Sequence, residues 1–147
     1  MSERKEIILG TLKSVHQTYK IKTVTDVSGH TKSSQTITKV WQDEVKKILG
    51  LVEKEVISGK NEKIDLVDLE EKTAYELKVS GKNCHHEFYK DLIKVITYNL
   101  YHSGNKLEKL IFISEEFGIE KLDGRLDNKL KQEIIDKHGV TIFLESI

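Results

Sequence analysis

The chain has no proline, one cysteine, two arginines and no excess charge of either sign across its 147 residues. Average usage of about 5% would place several prolines in a chain of this length, and no linker or low-complexity tract is visible. The lone Cys84 excludes an internal disulfide and a multi-cysteine zinc site. With Arg4 and Arg125 as the only arginines, base-specific DNA recognition would have to use other side chains, because arginine is the usual bidentate reader of guanine. The balance of 24 basic and 24 acidic side chains excludes a generic polybasic nucleic-acid binder and an acidic tail protein. No apolar run approaches the roughly 20 residues needed to span a bilayer. The apolar stretch within the first ten residues is too short for the central region of a signal peptide. These absences lead to the expectation of a soluble, cytoplasmic protein with no membrane partner and no small-molecule cofactor. The length suits one domain with one core.

The zero net charge conceals an asymmetry. Residues 1–50 carry 9 Lys/Arg against 5 Asp/Glu, and residues 51–147 carry 15 against 19. The basic excess lies between Lys13 and Lys39, where Asp26 is the only acid. A solvated lysine face is one reading of it, and a phosphate-facing surface is the other.

Periodicity outlines the elements. Ile8, Leu12, Val15 and Tyr19 recur at helical spacing. Residues 28–34 have loop composition. A second helix, capped by Ser34 or Thr36, carries an apolar stripe of Ile37, Val40, Trp41, Val45, Ile48 and Leu49 and stops near Gly50. Glu44 falls within that stripe, where a carboxylate needs a partner; at the edge of the stripe it would reach a lysine or water. Residues 51–57, 63–69 and 73–79 alternate and are separated by polar turns, a β-meander. A third helix follows Asn83, with Phe88, Leu92, Ile93, Val95, Ile96 and Leu100 as its stripe and Asn99 on the same side. Leu110–Ile113 reads as a strand covered on both faces. A fourth helix is expected from about Asp123 to His138, with Leu126, Leu130 and Ile134 inward and Gly139 as its stop, before a last strand from Val140. The fold expected is α/β, a mixed sheet flanked by helices with core order α-β-β-β-α-β-α-β, preceded by an extra N-terminal helix. A single domain is expected, with residues 1–35 as helix and loop and 36–147 as its core.

The chemistry concentrates in the second and third strands. Glu76 and Lys78 are two residues apart and share a face. A hairpin turning at Glu70–Lys72 brings Asp65 near Glu76; a shift of register would substitute Asp68. Two carboxylates placed together repel unless a cation joins them. Lys78 supplies one positive charge, and Mg²⁺, which takes carboxylate, water and phosphate oxygens, would supply more. Glu44 is a candidate outer ligand.

Asp65, followed eleven residues later by Glu76-Leu77-Lys78 in this strand context, resembles the active-site pattern of the PD-(D/E)XK nuclease superfamily, the restriction-endonuclease-like fold. The pair Asp65-Leu66-Val67-Asp68 and Tyr75-Glu76-Leu77-Lys78 is most similar to small type II restriction enzymes. The superfamily's proline before the aspartate is replaced by Ile64. The resemblance covers roughly the last three-quarters of the chain. It implies a magnesium-dependent endonuclease cutting DNA, with Mn²⁺ as a substitute metal. Asp65 and Glu76 would bind the metal, with help from the Leu77 carbonyl, and Lys78 would position or deprotonate the attacking water. Glu44 would orient a metal-bound water. A homodimer is implied because one site cuts one strand, and the first helix is the candidate dimer contact. Holliday-junction resolvases and repair nucleases share this core.

Further candidates for DNA contact are Lys82 and Asn83 after the catalytic strand, the His85–His86 pair, and the donor-rich Lys32-Ser33-Ser34 run beside a helix start. His85 and Tyr89 match a polar residue and a tyrosine four positions apart in related nucleases. Each of these also has a plainer reading as an exposed or capping residue. A function of another class, a non-catalytic nucleic-acid or protein-binding module, would make Glu76-x-Lys78 an ordinary strand pattern.

Overall fold

Alternation in residues 63–68 and 73–78 puts apolar side chains on both faces of two adjacent strands, and a sheet forms around them. The computed structural model describes residues 2–23 and 30–147, with side chains described except at 20–23 and 30–33. Its elements are α1 (Glu3–Thr23), α2 (His30–Leu49), β1 (Val52–Glu55), β2 (Lys63–Asp68), β3 (Thr73–Lys78), α3 (Cys84–Tyr101), β4 (Lys109–Ser114), α4 (Glu116–Arg125), α5 (Asn128–His138) and β5 (Thr141–Ser146). The chain divides into two compact units, Met1–Val52 with Ile147, and Glu53–Ser146.

The first unit is a pair of helices. Trp41 is fully buried with Ile8, Leu12 and Val45, and its indole N–H donates to the Ile8 carbonyl at 3.1 Å. That bond satisfies the one polar atom of the largest side chain in the pair. Helix α2 packs on α1. It starts earlier than expected. Residues 30–34 are helical, so neither Ser34 nor Thr36 is its cap, and the Ser34 carbonyl accepts the Thr38 hydroxyl one turn on. Ile48, expected in the apolar stripe, is 53% exposed.

The second unit is α/β, a five-stranded mixed sheet in the order β1-β2-β3-β4-β5. Strands β2 and β3 are antiparallel, while β3–β4 and β4–β5 are parallel. Successive parallel neighbours joined by right-handed crossovers bring their helices to one face. On that face Phe88, Leu92 and Val95 of α3, Leu122 of α4 and Ile134 of α5 form one core with Val67, Ala74, Leu110 and Phe112 of the sheet. Phe88 meets Phe112 edge-on, centroids 5.6 Å apart, the arrangement ring quadrupoles favour. Leu110 to Ile113 are all buried, as their continuous apolar run requires.

Two expectations are corrected here. The single helix from about Asp123 to His138 is two helices. Leu126 is extended, its N–H closing α4 on the Leu122 carbonyl, and Asp127 caps α5 by accepting the Leu130 N–H at 2.7 Å. A capping aspartate competes with helix continuation because its side chain replaces the missing backbone acceptor. The apolar stripe of α3 is also narrower than expected, since Ile93 and Leu100 are 59% and 75% exposed. Asn83 stands at the α3 N-cap position with a left-handed φ of 56° and no side-chain capping bond. Asn99 points inward and grips the chain after α3, donating to the Leu107 carbonyl at 2.9 Å and accepting the Leu107 N–H at 2.7 Å.

Asn99→Ala leaves both Leu107 backbone groups buried without partners. We expect a loss of about 2–3 kcal/mol of unfolding free energy, measured by urea denaturation. A loss below the error of that measurement would show that the clamp is dispensable.

Candidate functional site

The backbone pairing of β2 with β3 runs from Asp68–Thr73 to Leu66–Tyr75. One step further on, side chains take part. Asp65 Oδ2 accepts the Leu77 N–H at 2.9 Å, and Glu76 Oε1 accepts the Asp65 N–H at 3.3 Å. Strand alternation carries Asp65, Glu76 and Lys78 to the same face as Val67 and Ala74, which is the α3 side. The two acidic side chains thus cross at this rung, each accepting a backbone N–H of the facing strand. Asp65 rather than Asp68 is therefore the partner of Glu76. Asp68 is fully buried at the hairpin turn, where its Oδ1 accepts the N–H groups of Glu70 and Glu71.

Helix α3 contributes two charged residues to this place. The Lys94 ammonium lies 2.9 Å from Glu76 Oε1 and 3.1 Å from Asp91 Oδ1, and it donates to the Lys63 carbonyl at 2.8 Å. Glu76, Asp91 and Lys94 are all buried. Three carboxyl groups thus face one ammonium in a place with little water. Burial pushes the Asp65 carboxyl up, against the Leu77 amide and the Lys94 charge. Burial, then the charges of Asp65 and Asp91, hold Glu76 well above the usual carboxylate range despite Lys94. Asp91 is pushed up to about 6 by burial, again against Lys94. Burial alone would lower the Lys94 pKa, but Glu76 and Asp91 outweigh it and raise it. Burial is the first cause for all three carboxyl groups, and for Glu76 and Asp91 neighbouring carboxylates add to it.

The sequence reading missed Asp91 and Lys94. They stand three apart within the Phe88–Leu92–Val95 stripe, and polar residues at inward helical positions were the available signal. Lys78 is half-buried and has no ion pair among the described residues. Lys94, not Lys78, is the lysine in contact with the carboxylates. Glu44 belongs to the other compact unit. It is half-buried and pairs with Lys47 at 3.2 Å, the edge position rather than the centre of the α2 stripe.

Lys82, Asn83 and His85 line one cavity with residues of α4. His86 is exposed beside it, its ring centroid 4.0 Å from that of His85. The His85 imidazole is held below its usual range by desolvation, then by the charges of His86 and Arg125. The side chains of Lys32 and Ser33 lie outside the described residues. The backbone at 30–34 is helix rather than the donor-rich loop expected.

Among the described residues no group of three or more histidine, cysteine, aspartate or glutamate side chains is arranged to hold a metal ion. The donors that do converge are the Asp65 and Glu76 carboxylates. No helix among the described residues is long and apolar enough to cross a membrane. No family model, curated protein or solved structure matches the chain.

The raised carboxyl pKa values have a consequence for stability. A folded-state pKa of about 6 for Asp91 against 3.8 for a free aspartate means that between those values the folded protein holds a proton the unfolded chain has released. The contribution of Asp91 to stability then falls as pH rises from about 4 to 6 and is flat above. Between pH 7.5 and 5 we expect Asp91 to contribute a gain of roughly 1 kcal/mol. The gain is the wild-type change in urea unfolding free energy minus that of Asp91→Asn. A difference of opposite sign would contradict the raised pKa.

Proposed function

We propose that the protein is a Mg²⁺-dependent endonuclease that hydrolyses DNA phosphodiester bonds with a PD-(D/E)XK type of site on a restriction-endonuclease-like core. The observation that carries this reading is the meeting of the Asp65 and Glu76 carboxyl groups at the end of the β2–β3 ladder, with Lys78 two residues further along the same face. From α2 onward the elements run α-β-β-β-α-β-α-α-β, the expected core order with one further helix, α4, before the last. A restriction-type role is the first choice, and junction resolution or repair is the alternative use of the same core.

The donor set suits the metal. Mg²⁺ uses one or two carboxylates and completes its shell with water and phosphate oxygens, so two carboxylates with the Leu77 carbonyl suffice. The charges of Asp65 and Asp91 also bear on Glu76, and a divalent cation would relieve that repulsion. Asp65 and Glu76 would hold the ion, with Mn²⁺ as a substitute. When bound, it supplies Lewis-acid stabilisation of phosphate charge and acidifies coordinated water.

The protein's own residues do the rest. The Leu77 N–H fixes one oxygen of Asp65, and Lys94 fixes one oxygen of Glu76. Asp65 is thereby oriented by the backbone of the neighbouring strand and Glu76 from α3, which is what precise placement of ligands requires. Among the described residues no carboxylate pairs with the Lys78 ammonium, so it is available to a phosphate oxygen or to the attacking water. The product is a cut phosphodiester, with no covalent intermediate and no nucleophilic side chain needed. A homodimer would place two such sites on opposite strands.

One observation favours a second reading. Lys94 already neutralises part of the cluster, and a buried ion pair can serve conformational specificity alone. The protein would then be a non-catalytic nucleic-acid or protein-binding module.

The test is incubation with supercoiled plasmid and with junction and flap DNA in Mg²⁺. Cleavage is expected with the wild type and none with EDTA. Asp65→Ala, Glu76→Ala and Lys78→Ala should each lose about 100-fold or more in rate. Cleavage that survives all three substitutions, or wild-type protein that cuts no substrate, would overturn the assignment.

A further inference from the structure

Beyond Lys78 the chain turns through Gly81 into α3, and the start of α4 packs on this turn. The approach is close because two glycines face each other. A Cβ on Gly118 would lie 2.6 Å from the Gly81 Cα and oxygen and from the Cys84 Sγ, and a Cβ on Gly81 would lie 2.7 Å from the Phe117 ring. The Glu115 carboxylate accepts the Gly81 N–H at 2.9 Å and ties the two segments. Between the helices this leaves a cavity of about 350 Å³.

Its lining is one-sided in charge. Lys82 enters from the turn, and Lys121 and Arg125 enter from α4, one turn apart. Among the described residues no carboxylate lines it. None of the three cations has an ion pair among the described residues, although Lys131 finds Asp123 nearby on the chain. Three positive charges gathered around one cavity repel each other unless an anion joins them. The first turn of α3 adds amides that no side chain caps, so the helix end contributes to the same preference. Phe117 is 44% exposed at the edge of the cavity, an apolar ring where a flat ligand group has a surface to stack on.

We propose that this cavity binds a phosphate group of a nucleic-acid strand, held by Lys82, Lys121 and Arg125, with the adjoining base against Phe117. The phosphate chemistry stands on the cavity itself. That the phosphate belongs to a nucleic acid rests on the nuclease reading above. The cavity follows the strand that carries Glu76 and Lys78, so it would hold the substrate backbone beyond the bond being cut.

The test is fluorescence anisotropy of a short labelled single strand in EDTA, where nothing is cut. The variants are Lys121→Gln/Arg125→Gln, Phe117→Leu and, as a control, Lys106→Gln/Lys129→Gln. All are checked for unchanged thermal unfolding. The pocket double variant should bind about tenfold more weakly, with a log–log salt slope shallower by about 0.7 for one phosphate. Phe117→Leu should weaken the strand but not competition by inorganic phosphate, and the control should match the wild type. Equal affinity and salt slope for the pocket and control variants would overturn the proposal. Binding of inorganic phosphate without the strand would overturn its nucleic-acid source. Cleavage that depends on Glu76 while the pocket variant still binds normally would sink the pocket and leave the nuclease reading standing. Strand binding lost in the pocket variant, with cleavage indifferent to Glu76, would do the reverse.

Discussion

Everything at the candidate site depends on one exchange of hydrogen-bond partners. At the end of the β2–β3 hairpin, the Leu77 and Asp65 backbone N–H groups donate to the carboxylates of Asp65 and Glu76. Backbone amides must be satisfied when buried, and here the acidic side chains do it. The same bonds fix where the carboxyl groups can be. Lys94 completes the arrangement from α3, reaching Glu76, Asp91 and the Lys63 carbonyl together. Removing either strand carboxylate would therefore disturb both the local pairing and the charge balance. A cluster of this kind is costly for a small domain to keep for stability alone, because buried ionic groups seldom outperform apolar packing.

Much of the second unit was legible from period and spacing. Alternation located β2 and β3 to within a residue, and the polar turn at 70–72 set the hairpin that joins Asp65 to Glu76. The continuous apolar run gave β4. The helices were harder. Leu126, Leu130 and Ile134 keep helical spacing across a real break, so periodicity did not register the cap at Asp127. Helix α4 escaped notice because only Gly118 and Leu122 of its residues are buried, too few to make a stripe. Helix α3 had the opposite problem. Apolar residues such as Ile93 and Leu100 also occupy its solvent side, which blurred the inward face and hid Asp91 and Lys94. Long-range contacts across 31 residues, such as Lys94 to Lys63, leave no local pattern to read.

The neutral composition also takes on a different meaning. The acids include the carboxylates that crowd around Lys94, and a proton or a metal ion must offset them. Lys82, Lys121 and Arg125 gather between the start of α3 and α4, around a cavity that no carboxylate lines among the described residues. Equal totals thus arise from separated clusters of opposite sign, each short of a counter-charge. Under the proposed function, a divalent cation and a phosphodiester would meet those two deficits.

The most direct measurement is Mn²⁺ binding followed by electron paramagnetic resonance, at neutral pH and with a short DNA duplex present. The account predicts saturable binding to the wild-type protein that is abolished in Asp65→Asn and Glu76→Gln variants that remain folded. Binding of equal strength in those variants, or no binding to the wild type, would contradict it.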